Sequence, residues 1–261
     1  LILKTVARVF AGGERLPLED GALSGRSVLI LGMHRSGTSC LAGMLEERGL
    51  WLGDDVKTRS RHNKKGNREL KEVQLINNDL LGLGGGSWHR PRRATFTNAE
   101  ITARIKKVYE TLDASGKLWG IKDPRMLFCI DAWRNRQSML VGTFRHPASV
   151  ASSLIARENA VTREAHALEL WHAYNAELVR LYWEGPFPVV DFDWDANRYC
   201  RAVAMIAGRL GLDASAGAFF EDGLRHNRDG GDIEDSRHRE LYGELLDIAS
   251  IEEKKLLEGR P

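Results

Sequence analysis

The sequence predicts an α/β fold, a P-loop-like single domain with a central, mainly parallel sheet flanked by helices. Three observations lead there. Apolar runs at 27–31 and 138–144 have the length and continuous hydrophobicity of strands buried on both faces. Helical patterns separate these runs, which implies parallel pairing through crossovers. The first run also passes through a glycine-bounded turn, Gly32-Met33-His34-Arg35-Ser36-Gly37-Thr38, straight into a helical pattern.

Taken in order, residues 38–48 are the helix that leaves this turn. Residues 50–68 are irregular and basic, and Leu70, Val73, Ile76 and Leu80 then set a helix over 69–81. A glycine-rich basic loop carrying Trp88 covers 82–93. Thr97 and Glu100 make a capping box that starts a helix to about Asp113. A strand at 117–122 ends on Asp123-Pro124. The 138–144 strand is followed by a sharp Arg145-His146-Pro147 turn and helices over 148–157 and 163–183. A strand over 187–192 and a helix over 196–210, stopped by Gly211, complete the core. The charged residues 221–240 read as a surface segment before a last helix near 239–257. No repeat or low-complexity linker interrupts the chain, so one domain over 1–261 is expected. Its core lies at about 26–212, with a peripheral C-terminal part at 221–261.

The 261 residues are enough to bury a substantial core, and a net charge of +2 argues against nucleic acid as the main partner. Cys40, Cys129 and Cys200 lack C-x-x-C spacing, so neither a zinc site nor a disulfide framework is indicated. Reduced thiols and a cytoplasmic location are the expectation. No apolar stretch is long enough to cross a bilayer. The chain begins at Leu1 and not at Met, which leads us to expect a missing upstream segment.

In an open parallel sheet, ligands bind at the carboxyl ends of strands. Three polar clusters fall at such ends: 32–39, 122–125 and 145–153. The first has the glycine spacing of the nucleotide-triphosphate loop G-x-x-x-x-G-K-[ST], but Thr38 stands where the lysine belongs. The positive charge has moved to Arg35. Such a turn at a helix N-terminus favours an anion through its backbone N–H groups and the helix dipole.

Arg35-Ser36-Gly37-Thr38-Ser39 resembles the 5′-phosphosulfate loop of sulfotransferases that use 3′-phosphoadenosine-5′-phosphosulfate (PAPS). It is similar to the R-S-G-T-[TS] form of tyrosylprotein sulfotransferases and many bacterial sulfotransferase-like proteins. Arg145 with Ser153 eight residues later resembles the family's 3′-phosphate motif, and Ser149 is a further donor. Trp119-Gly120-Ile121-Lys122-Asp123-Pro124-Arg125 resembles the K-D-P segment whose lysine helps stabilise the transition state. The resemblance covers about 28–211 and implies a PAPS-dependent sulfotransferase acting on an acceptor hydroxyl or amine. Arg35, Ser36, Gly37, Thr38, Ser39, Arg145 and Ser153 would bind the donor. Arg35 and Lys122 would neutralise charge on the leaving 5′-phosphate, a task that then needs no metal. No acidic pattern for a metal is read from the sequence. Rival readings are a kinase-like enzyme using ATP and a non-catalytic nucleotide-binding scaffold.

The general base ranks Glu69 first, because related bacterial sequences carry a glycine–aromatic–x–glutamate segment where Gly66-Asn67-Arg68-Glu69 stands. Asp54, Asp55, His62 and His89 are the alternatives, and a helix-dipole partner is the plain role for Glu69. Lys57, Arg59, Arg61, Lys64, Lys65 and Arg68 form one basic run, and Arg90, Arg92 and Arg93 a second. These suggest a lid over the donor or a docking surface for an acidic glycan, peptide or small molecule, with Trp88 offered for stacking. The 224–228 segment is a candidate closure over the nucleotide. Trp171, His172 and Tyr174 read as core and its rim.

Overall fold

The computed structural model describes residues 14–15, 26–54, 56, 66–135, 137–156, 160–215, 217–220 and 230–259. Its elements, in chain order, are β1 (Glu14–Arg15), β2 (Ser27–Leu31), α1 (Thr38–Glu47), α2 (Lys71–Leu83), β3 (Phe96–Thr97) and α3 (Ala99–Asp113). They continue with β4 (Trp119–Lys122), α4 (Met126–Trp133), β5 (Ser138–Phe144), α5 (Pro147–Ile155), α6 (Glu164–Glu184), β6 (Val189–Asp191), α7 (Ala196–Arg209) and α8 (Ser236–Leu257).

The main sheet has the order β4-β2-β5-β6 and every pairing in it is parallel. β2 is the sequence Ser-Val-Leu-Ile-Leu, buried at all five positions, as a central strand covered on both faces requires. Helices flank the sheet. The interior is rich in aromatic rings, and each fully buried indole finds an acceptor. Trp119 Nε1 donates to Asp113 Oδ1 (2.6 Å), Trp133 Nε1 to Asn77 Oδ1 (2.7 Å) and Trp171 Nε1 to the Arg145 carbonyl (2.9 Å). The last of these pins the end of β5.

Several expectations need correction. α3 is capped by Asn98, whose side chain accepts from the Ile101 N–H at 2.8 Å, and not by Thr97, which lies in the short β3–β1 pairing. α2 starts at Lys71, so Glu69 lies ahead of the helix, free of its first turn. α4 was not expected at all. Residues 236–240 are helical, the first turns of α8, while 221–229, including the 224–228 closure, lie outside the described residues. Cys40, Cys129 and Cys200 carry free thiols. Among the described residues, no helix is long and apolar enough to cross a membrane.

Candidate active site

Beyond β2 the chain runs to β4 on one side and then to β5 on the other. From β5 it goes on to β6, away from β2, so the connections after β2 and β5 leave in opposite directions, the arrangement in which a ligand crevice is expected at the carboxyl ends of two such strands. Two of the three polar clusters border it, and the third follows β4 on the far side of β2.

The loop after β2 is shaped by its glycines. Gly32 (φ 150°) passes so close to β5 that a Cβ would run into the Thr143 carbonyl. Gly37 (φ 82°) is the N-cap of α1, and a Cβ there would run into the Phe192 ring. No side chain caps this helix. Its first bonds run from the amides of Cys40 and Leu41 to the Gly37 carbonyl, at 2.9 and 3.0 Å. The amides of Gly37, Thr38 and Ser39 precede that ladder and suit an anion.

Arg35 holds φ 66°, which costs a non-glycine residue about 1–3 kcal/mol and marks a backbone fixed by its surroundings. Its Nε donates to Ser153 Oγ at 2.9 Å, joining the loop after β2 to α5 after β5. The Ser36 carbonyl accepts from Thr143 Oγ1 at 3.1 Å, while its own hydroxyl is enclosed with no hydrogen-bond partner. Such an orphaned group beside an uncapped helix start fits a phosphate or sulfate oxygen. Thr38 is buried at the head of α1, and Ser39 Oγ donates to the Asn67 carbonyl at 3.2 Å.

At the end of β5, Arg145 is buried, not solvated. Its Nε donates to Asp193 Oδ1 at 3.0 Å, and its guanidinium lies 5.4 Å from the centre of the Phe192 ring. Asp193 also accepts the His146 N–H at 2.9 Å, so the loop after β6 sets the arginine's direction. His146, through its ring, caps α5, and Ser149 and Ser153 are buried on that helix.

At the end of β4, Lys122 Nζ forms an ion pair with Glu69 Oε1, and the two side chains are only 1 % and 11 % exposed. Arg125 stands 3.6 Å from the other Glu69 oxygen and clasps Asp123 through two hydrogen bonds of 2.8 and 2.7 Å. Burial alone would push the Glu69 carboxyl up, but Lys122, with smaller help from Arg125, holds it below its ordinary value. His34, overlooked in the sequence although it lies within the loop, belongs to the same group. Burial and the Arg125 and Lys122 charges, against an opposing Glu69, bring its imidazole down to about 3. The ring is neutral at pH 7, with Nε2 enclosed and unpartnered. It packs against Trp88 and Tyr174, with centroids 5.1 and 5.7 Å away.

The other base candidates are placed differently. Asp54 is exposed, Asp55 and His62 lie outside the described residues, and His89 packs edge-on against Trp88. Of the basic runs, 57–65 also lies outside the described residues. Arg68 is buried and bonded to Glu46 at 2.9 Å, a packing role that removes it from any docking surface. Arg93 pairs with Asp131 at 2.6 Å, while Arg90 and Arg92 are exposed. Tyr174, expected in the core or at its rim, is core and also borders the site: its hydroxyl donates to the Trp88 carbonyl at 2.8 Å. Asp193, missed in the sequence, follows the fourth strand and was open to the same strand-end rule.

No protein-family model matches the chain, and no curated protein matches it. Among solved structures, it is similar to the sulfotransferase domain of the Synechococcus PCC 7002 olefin synthase. The TM-score is 0.53 at 16 % identity, over 89 % of this chain and 96 % of that one. The chain has a sulfotransferase-like fold. Sulfotransferase STF1 from Mycobacterium tuberculosis H37Rv also matches, with a TM-score of 0.42 at 14 % identity, over 91 % of this chain and 76 % of that one.

Proposed function

We propose that the chain is a sulfotransferase that moves the sulfuryl group of PAPS to an acceptor hydroxyl or amine. The observation that carries this reading is the Arg35–Ser153 hydrogen bond across the crevice. It ties the loop after β2 to α5, which supports a reading in which one nucleotide bearing a 5′-phosphosulfate and a 3′-phosphate meets both. A nucleoside triphosphate, by contrast, would meet a loop with no lysine after Gly37.

In this reading the amides of 37–39, Ser36 Oγ and Thr38 hold the 5′-phosphosulfate, and Ser39 steadies the loop through Asn67. Arg145 and Ser153 take the 3′-phosphate, the guanidinium supplying a planar fork of donors. The acceptor oxygen or nitrogen forms a bond to sulfur as the bond from sulfur to the 5′-phosphate oxygen breaks. The acceptor proton passes to the Glu69 carboxylate, and the charge left on the phosphate is met by Arg35 and Lys122. Transfers of this kind depend on in-line positioning and fixed charge more than on covalent help from the protein. Lys122 and Glu69 begin as partners, so a donor that draws Lys122 toward its leaving oxygen releases the carboxylate to act as base. The exposed Arg90 and Arg92 beside Trp88 favour an anionic acceptor.

Arg145→Ala should weaken binding of the product 3′-phosphoadenosine-5′-phosphate (PAP) by about 1.5–3 kcal/mol, the worth of a hydrogen bond to a charged group. Adenosine-5′-phosphosulfate, which lacks the 3′-phosphate, should bind the variant and the parent alike. Because Arg145 also holds Asp193, the comparison between the two ligands, measured by calorimetry, carries the test. Equal losses for both would make Arg145 a purely structural residue.

A further inference from the structure

α6 and the start of α8 bring a second polar group together. Glu169, Asp235 and His238 each offer a ligand atom, and the three atoms lie within 4.8 Å of one another. His238 is only 3 % exposed, yet its Nε2 has no hydrogen-bond partner and stands 3.9 Å from Glu169 Oε1. A buried ring nitrogen left unpaired calls for an occupant. Its Nδ1 is 3.9 Å from Asp235 Oδ2, and the rings of Trp171 and His172 pack against the imidazole and fix its plane. Asp235 divides its oxygens: Oδ1 caps α8 by accepting the Arg237 N–H at 2.8 Å, which leaves Oδ2 facing the group. Arg237 Nη2 then bridges Asp235 Oδ2 and Glu169 Oε1, at 2.8 and 2.7 Å. One guanidinium, 56 % exposed, thus stands against the two oxygens that face His238.

We infer that Glu169, Asp235 and His238 form a binding site for a divalent transition-metal ion, with Zn²⁺ as the fitting ion and Arg237 as the cation it displaces. A nitrogen donor beside two carboxylates suits zinc, whereas magnesium and calcium prefer oxygen throughout. With zinc–ligand distances of about 2.0–2.2 Å, neighbouring ligand atoms of a tetrahedral shell lie about 3.3–3.6 Å apart. The Nε2–Oε1 spacing of 3.9 Å must close by about half an ångström. Asp235 Oδ2, now 3.9 Å from the other ring nitrogen, must also turn toward Nε2 within the 4.8 Å that encloses the three ligand atoms, so both carboxylates move while the buried ring stays. Water completes the shell on the solvent side. The ion fastens α8 to α6, and the site stands independently of the sulfuryl chemistry proposed above.

The test is calorimetric titration of the chelator-stripped chain, free of any histidine tag, with Zn²⁺ alone. His238→Ala, Glu169→Gln and Arg237→Ala are titrated alongside. The parent should bind one Zn²⁺ per chain saturably and show no such site for Mg²⁺. Binding should weaken at least about tenfold in the His238 and Glu169 variants, each of which loses a ligand. It should tighten several-fold in Arg237→Ala, where no guanidinium competes. If the buried His238 variant fails to fold, the exposed Glu169 position carries the same comparison. Absence of a saturable Zn²⁺ site in the parent would overturn the inference. So would undiminished binding in Glu169→Gln, or an Arg237→Ala chain that binds no more tightly.

Discussion

Lys122→Ala should lower the rate of sulfuryl transfer about 10²–10³-fold while leaving PAP affinity within a few-fold. That split is the signature of a group whose main contact forms in the transition state, as charge builds on the leaving phosphate. The ammonium is almost fully enclosed and aimed by Glu69, so little reorganisation is needed when the donor arrives. Removing it also strands part of the Glu69 charge in a buried place, normally a large penalty. Here Arg125, 3.6 Å from the same carboxylate, remains to limit that cost. Thermal melts beside the rate measurements separate the two effects. An unchanged rate in a folded variant would remove Lys122 from the mechanism.

Glu69→Gln should cost about 10²–10⁴-fold in turnover, the usual range for a positioned general base. Its pH behaviour is more discriminating than its size. In the free enzyme the carboxyl lies below its ordinary value of 4.5, so the parent's kcat/KM, which reports the free enzyme, should hold down to that region and fall only in stronger acid. The glutamine variant should lack this acid limb. Stability should follow the same direction. A carboxylate depressed in the folded state stabilises the protein above its unfolded pKa, and that contribution fades as pH falls through the folded value. The stability difference between parent and variant should therefore be full at neutral pH and close below 4.5. Activity retained by the variant would pass the role of base to Asp54, Asp55, His62 or His89.

The sheet was legible because its two central strands are apolar runs, buried throughout in β2 and over the second half of β5. Ser27–Leu31 and Ser138–Phe144 read as continuous apolar runs, and their boundaries match the observed ones. α4 was hidden for the same reason: all eight of its residues are buried, so no polar stripe betrays a helical period. The β1–β3 pairing is two residues long and leaves no pattern to read. At the site, the strand-end clusters were legible one by one, but their partners were not. Arg35 meets Ser153 across 118 positions, Lys122 meets Glu69 across 53, and Arg145 meets Asp193 across 48. Local periodicity carries no information on such pairs; the sheet order creates them. His34 was missed because a neutral, enclosed imidazole shows its surroundings only in three dimensions.

The central claim is that the crevice between β2 and β5 holds a nucleotide with phosphates at both the 3′ and 5′ positions. Calorimetric titration of the chain with PAP, ATP and ADP tests it most directly. PAP should bind one per chain and more tightly than either ATP or ADP, because only PAP offers a 3′-phosphate to Arg145 and Ser153. ATP binding more tightly than PAP would contradict the account and turn the loop at 32–39 into the site of a kinase-like enzyme.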